Sequence, residues 1–185
     1  MGGRMPTSRS FRCSVFIGVS LDGFIARPDG DLHWLTSRGE AAGSDLGYEE
    51  FIAGIDAVVM GRGTYEPGRS YDPWPHEGRH CAVLSGTLPL DADPRVTVHR
   101  DLGALLRDLE ERGTKSVYVD GGQVIRAFLR EGLIDELTIT TVPVLIGTGL
   151  PLFGPTGGDV PLVHLATRVF GAGVVQSSYA VDRTS

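Results

Sequence analysis

Four apolar runs constrain this chain more than any other feature, because none carries a charge and each stops at glycine or a small polar residue. Residues 14–20 lead into Asp22-Gly23, residues 57–60 into Gly61-Arg-Gly-Thr64, residues 81–84 into Ser85-Gly86, and residues 116–119 into Asp120-Gly-Gly122. A short run with no polar alternation is the form a strand takes when both its faces are covered. Helices must supply that cover, and helical spacing lies between the runs. Leu102, Leu105, Leu106 and Leu109 recur at helical intervals behind Asp101, a natural N-cap, and Gly113 stops them. Val124, Ile125, Phe128 and Leu129 mark a second amphipathic helix ending at Gly132, and residues 48–52 a short one ending at Gly54. A further strand is expected at 95–99, with loops at 27–34 and 67–78 where Pro and Gly cluster.

The remainder has a different character. Residues 136–146 form a β-rich stretch containing Pro143, and 147–161 a Gly/Pro loop. Residues 162–170 and 174–181 flank Gly171-Ala-Gly173 and read as an antiparallel hairpin. The expected fold is therefore α/β, with a mostly parallel central sheet flanked by helices and an antiparallel C-terminal edge. A chain of 185 residues suits one domain. We assign it to 11–185, with 1–10 as a flexible tail and no targeting segment, consistent with a cytoplasmic protein. A net charge of −6 argues against a nucleic-acid or anionic-membrane surface, and no apolar stretch approaches the ~20 residues of a bilayer span. Cys13 and Cys81 sit in apolar runs without CxxC partners and read as small buried hydrophobes, while the five histidines lack metal-ligand spacing.

Ligands of open α/β sheets bind beyond the carboxyl ends of the strands, where the four turns would gather. Singly each is weak evidence: Gly-Gly after a strand is more often a tight turn than a phosphate cradle. Together they describe an anion site. Gly121-Gly122 opens a helix whose free N–H groups and positive dipole end favour a pyrophosphate. Arg62 offers a bidentate fork to a terminal phosphate, and Thr64 adds a hydroxyl. This is neither a G-x-G-x-x-G fingerprint nor a P-loop.

These motifs carry a resemblance. Residues 58–66, Val-Val-Met-Gly-Arg-Gly-Thr-Tyr-Glu, are similar to the strand and turn with which dihydrofolate reductases grip NADPH phosphates. Val83-Leu-Ser85, Val117-Tyr-Val-Asp-Gly-Gly122, and Ser20-Leu-Asp-Gly-Phe-Ile-Ala26 with Trp34 follow in matching order over about 11–181. Ser20-Leu-Asp-Gly23, Leu133-Ile-Asp-Glu-Leu137, Val142-Pro-Val-Leu-Ile-Gly147 and Pro151-Leu-Phe153 resemble one branch of that superfamily, the reductase domain of bacterial riboflavin biosynthesis. The zinc deaminase motif that accompanies it in bifunctional proteins does not occur.

The resemblance implies NADPH as cofactor, a homodimer, and hydride transfer to 5-amino-6-(5-phosphoribosylamino)uracil or a related small heterocycle. It implies that Gly61, Arg62 and Thr64 hold phosphates, that Leu84 and Ser85 border adenosine, and that Gly121, Gly122, Gln123 and Val124 border the pyrophosphate. Gly18 and Ile25 would line the nicotinamide. Asp120 is either a proton donor or a ligand of turn backbone. Asp22 is a turn-former or a substrate contact, and Trp34 a cover for the nicotinamide or a core residue. Dihydrofolate reductases carry a buried carboxylate on the first helix; Asp45, Glu49 and Glu50 fall near that region without matching it, which weakens folate as substrate. Dihydrofolate reduction and nucleotide binding without turnover are the alternatives.

Overall fold

The computed structural model describes residues 9–183. Strands β1 (Arg12–Ser20), β2 (Phe24–Ala26) and β3 (Ala57–Gly61) alternate with helices α1 (His33–Ala42), α2 (Tyr48–Ala53) and α3 (Arg62–Gly68). Next come β4 (His80–Leu84), β5 (Thr97–His99), α4 (Leu102–Glu111), β6 (Ser116–Asp120) and α5 (Gly122–Arg130). The chain closes with β7 (Glu136–Val142), β8 (Leu150–Pro151), β9 (Leu162–Val169), a 3₁₀ turn at Gly171–Gly173, and β10 (Val175–Val181).

Eight strands form one sheet in the order β5-β4-β3-β6-β1-β7-β10-β9. The first six run parallel, and β10 and β9 complete the edge antiparallel, which is the expected arrangement. Alternation along each strand feeds two cores, as a period of two requires. Val15, Val59, Val117 and Val119 pack with Leu105 and Leu109 of α4 and with Ile125 and Phe128 of α5. On the other face Val58, Met60, Val83 and Tyr118 pack with Ile52 of α2 and Tyr65 of α3. Cys13 and Cys81 are buried thiols, as their apolar surroundings predict. Asp101 does cap α4, its carboxylate accepting the Ala104 N–H at 2.8 Å.

Two helices depart from the sequence reading. The stretch read as a loop up to Trp34 becomes helical from His33 in α1, which buries only Trp34 and has no side-chain cap, so neither periodicity nor capping signals it. α3 includes Gly63, Pro67 and Gly68 and buries only Tyr65, whose hydroxyl donates to Asp93 at 3.0 Å. Tertiary contact, not propensity, makes that segment helical. The loop after β7 also holds β8, which pairs with β2 in a small separate sheet. Strand β7 stops at Val142, short of the expected 146, and the strand expected from 95 begins only at Thr97.

Most of the expected tail, residues 1–8, lies outside the described residues. Arg9 and Ser10 are fastened: Arg9 pairs with Asp135 and Ser10 bonds Glu110 at both its backbone and its hydroxyl. Asp135 collects both ends of the described chain. Its carboxylate also accepts the Cys13 N–H at 2.7 Å and the Arg183 guanidinium at 2.9 Å. Asp135→Ala leaves a partly buried N–H and two guanidiniums without their acceptor, so it is expected to cost about 2 kcal/mol. Thermal melting should register a fall in Tm of roughly 5 °C, and an unchanged Tm would show that this junction contributes little.

Candidate active site

The order β4-β3-β6-β1 brings the carboxyl ends of four strands side by side, in the register Gly61 beside Leu84 and Met60 beside Asp120. The turns after β3 and β6 come closer than side chains would ordinarily allow. Gly121 has φ +91°, and a Cβ built there would lie 2.4 Å from the Thr64 hydroxyl oxygen. A Cβ on Gly61 would lie 3.2 Å from a Val124 methyl, and one on Gly122 3.0 Å from both Ile25 Cδ1 and the Pro151 carbonyl oxygen. Gly61, Thr64, Gly121, Gly122, Val124 and Ile25, singled out separately in the sequence, therefore converge. A cleft of about 410 Å³ opens there, lined by Gly61, Leu84, Gln123 and Val124 and by two residues the sequence reading missed, Arg126 and Arg130. Their only sequence signal was the four-residue spacing from Gly122 along α5, which puts all three on one helix face.

Arg62 leans from the start of α3 toward β4. Its Nε donates to Glu66 at 2.7 Å and its Nη1 to the Thr87 hydroxyl at 3.0 Å. Ser85 shapes the receiving turn, its hydroxyl accepting the Thr87 and Leu88 N–H groups at 3.3 and 3.1 Å. The carbonyl of Ser85 takes Arg100 Nη1 at 2.8 Å. Arg62 and Ser85 thus both bond Thr87, Arg62 through its hydroxyl and Ser85 through its N–H.

Asp120 lies two residues beyond Tyr118 on β6 and so faces the α2 side of the sheet. Beneath it Phe16, Tyr48, Phe51 and Tyr118 form an aromatic cluster. The rings of Phe16 and Phe51 stack at 4.8 Å, and those of Phe51 and Tyr118 meet edge-on at 5.1 Å. The Tyr118 hydroxyl donates to the Phe16 carbonyl at 3.0 Å. Burial pushes the Asp120 carboxyl up to about 6, although the Gly121 N–H and the nearby Tyr118 hydroxyl pull the other way. Burial also raises the Tyr48 and Tyr118 phenols, and the charge of Asp120 adds to both shifts, which places Asp120 within electrostatic reach of each.

The other candidates stand apart. A Cβ on Gly18 would meet Leu35 Cδ1 at 2.6 Å, so α1 covers Gly18, and anything bound over β1 also meets Leu35. Asp22 is exposed and ties the loop after β7: its carboxylate accepts the Ile146 and Gly147 N–H groups at 3.2 and 2.8 Å. The Ser20 hydroxyl foremost, then these N–H groups, hold its carboxyl below the usual range. Trp34 is buried in the first turn of α1, its indole N–H without a partner among the described residues. Asp45, Glu49 and Glu50 are all exposed, so the carboxylates near α2 do not form a buried pterin anchor. Among the described residues no three His, Cys, Asp or Glu converge as a metal site, and no helix is long and apolar enough to cross a membrane.

A family model of the RibD C-terminal domain matches residues 13–176. The chain belongs to that family. A crystal structure from Shewanella sp. PV-4, of a protein assigned by its name to riboflavin biosynthesis, is 35% identical at a TM-score of 0.84, covering 94% of this chain and 100% of that one. The deaminase/5-amino-6-(5-phosphoribosylamino)uracil reductase of Thermotoga maritima superposes at a TM-score of 0.69 with 16% identity, over 94% of this chain but only 57% of the larger protein. Dihydrofolate reductase from Enterococcus faecalis, complexed with NADP(H), superposes at 0.68 with 17% identity over 94% of this chain and 98% of its own. The fold is thus dihydrofolate reductase-like. The reductase activity printed for the Thermotoga protein is that protein's own; what this chain shares with it is the fold.

The contact between the two turns is open to direct test. Gly121→Ala adds a Cβ against Thr64 at a left-handed φ and is expected to destabilise the fold by about 1–3 kcal/mol. Gly63→Ala, in α3 with open space around it, should instead be neutral or stabilising by up to about 1 kcal/mol. Chemical denaturation of the pair measures both, and equal effects would mean that the close approach is not what requires glycine at 121.

Proposed function

We propose that this chain is an NADPH-dependent reductase of the riboflavin-pathway type. Its substrate is 5-amino-6-(5-phosphoribosylamino)uracil or a closely related small heterocycle. The observation that carries the reading is the meeting of the Arg62–Thr64 turn with Gly121-Gly122 at one sheet edge, next to a carboxyl lifted to about 6. The cleft fits such a cofactor. The free N–H groups at the α5 N-terminus suit a pyrophosphate, and Arg62 with Thr87 offers donors suited to a 2′-phosphate. When bound, the nicotinamide supplies a hydride. The protein's part is to hold the reacting faces together and to provide the proton that balances the transfer. Leu84 and Val124 wall the cleft, Ile25 crowds the pyrophosphate turn, and Leu35 over Gly18 limits the space above β1.

Asp120 is the proposed proton donor. A carboxyl at about 6 holds a proton into the near-neutral range, where an ordinary aspartate has lost it. Because the acid form is the active one, kcat/KM should fall as pH rises through about 6. Asp120→Asn should keep NADPH binding, followed by quenching of protein fluorescence, while kcat falls at least about 100-fold. NADPH oxidation with the aminouracil substrate and with dihydrofolate, across pH 5–8, is the deciding measurement. Absence of NADPH binding would defeat the cofactor assignment, and a flat pH profile with an active Asn variant would remove Asp120 as the donor.

The proposal extends to a homodimer. Every residue of the edge strand β9 is exposed, including Leu162, Val163, Leu165 and Val169 at 43–74%. A long apolar edge strand is a ready template for pairing with a second chain. Sedimentation should give a dimer for the native protein and a monomer for Leu165→Glu/Val169→Glu; a monomeric native protein would rule the dimer out.

A further inference from the structure

We infer that Arg126 is a bridging cation, which latches the β2–β8 flap to α5 and also binds the cofactor's pyrophosphate. The inference rests on the cofactor reading above. Strands β2 and β8 form a two-stranded sheet outside the main one, pairing Phe24 with Pro151 and Ala26 with Leu150. This flap carries Ile25, whose Cδ1 lies over Gly122. The Leu152 N–H donates to the Gly23 carbonyl at 3.0 Å and extends the pairing past the ends of β2 and β8. Arg126 fastens the flap to α5. Its Nη1 donates to the Pro151 carbonyl and, at 3.4 Å, to that of Leu152.

Glycines make room for the latch. A Cβ on Gly122 would lie 2.9 Å from Arg126 Nη1, and one on Gly154 2.9 Å from Arg126 Cδ. The arginine therefore runs across the opening turn of α5, between two positions where a side chain would displace it. A guanidinium has five N–H donors in a rigid fork. Here only Nη1 is engaged: among the described residues Nε and Nη2 make no hydrogen bond, and no acidic group pairs with the charge. Two neutral carbonyls fix the cation in place without neutralising it. Arg126 also lines the cleft beside Gln123 and Val124. Its unused donors and its charge are therefore available to an anion held at the α5 N–H groups. One side chain thus senses the pyrophosphate and sets the position of the strand that carries Ile25.

A pyrophosphate is common to NADPH and NADH, which separates this role from that of Arg62. Arg126→Ala should raise the dissociation constants of both dinucleotides by a similar factor, about tenfold or more. Arg62→Ala should weaken NADPH selectively. Arg126→Lys, which keeps the charge but not the fork, should recover part of the affinity. Hydrogen exchange without any cofactor reads the latch directly. In Arg126→Ala the amides of residues 23–26, Leu150 and Leu152 should exchange faster, while those of β3 and β6 stay unchanged. Gly154→Ala, which crowds the arginine stem, should reproduce that pattern. If the wild-type protein binds neither dinucleotide, the cofactor reading itself fails. If it binds them and Arg126→Ala leaves both affinities or the flap exchange unaltered, the bridging role is overturned.

Discussion

Two backbone turns, one after β3 and one after β6, come together so closely that only a missing Cβ lets them meet. Thr64 occupies the volume a side chain at Gly121 would need, Val124 presses on Gly61, and Ile25 with Pro151 presses on Gly122. Everything at this end of the molecule hangs on that approach. It sets the distance from the Arg62 turn to the start of α5 and leaves a cleft walled by Leu84 and Val124. Close packing transmits such constraints because interiors do not deform continuously.

Strand β6 shows how the packing and the site are built from the same residues. Val117 and Val119 enter the core under α4 and α5, and Tyr118 enters the core under α2 and α3. Asp120 continues the second direction and arrives at the carboxyl edge above an aromatic floor, where burial raises its carboxyl. Gly121 then turns the chain into α5. Electrostatics divides along the same line. The protein is acidic as a whole, at −6, yet Arg126 and Arg130 of α5 both line the cleft, and Arg62 opens α3 directly after Gly61, which lines it too. The raised carboxyl of Asp120 sits at the end of the neighbouring strand.

Much of this was legible in the residues, and the rest was hidden for identifiable reasons. The buried strands declared themselves because runs such as 57–60 and 116–119 have no polar face to expose. Asp101 and Gly113 bracketed α4 by capping chemistry that acts locally. Helix α1 was hidden because it buries one residue and lacks a cap, and α3 because its glycines and proline argue against a helix. Arg126 was unremarkable in sequence, since its partners, the carbonyls of Pro151 and Leu152, lie 25 and 26 residues away. The bonds that Asp22 makes were hidden too, since the N–H groups of Ile146 and Gly147 lie 124 and 125 residues away.

The sequence by itself determined the class of fold, the buried strands and the carboxyl-edge motifs, because these follow from local periodicity, capping and the conformational freedom of glycine; the family resemblance rested on the order of its motifs. Tertiary structure alone decided which of the motifs touch. It brought Gly121 to Thr64 and Ile25 to Gly122, covered Gly18 with Leu35, buried Trp34, and set Arg126 across the start of α5. Strand order and the close approach of turns distant in sequence are non-local, so no window of residues carries them. The elevated Asp120 carboxyl belongs to the same class: its proton affinity comes from what surrounds it.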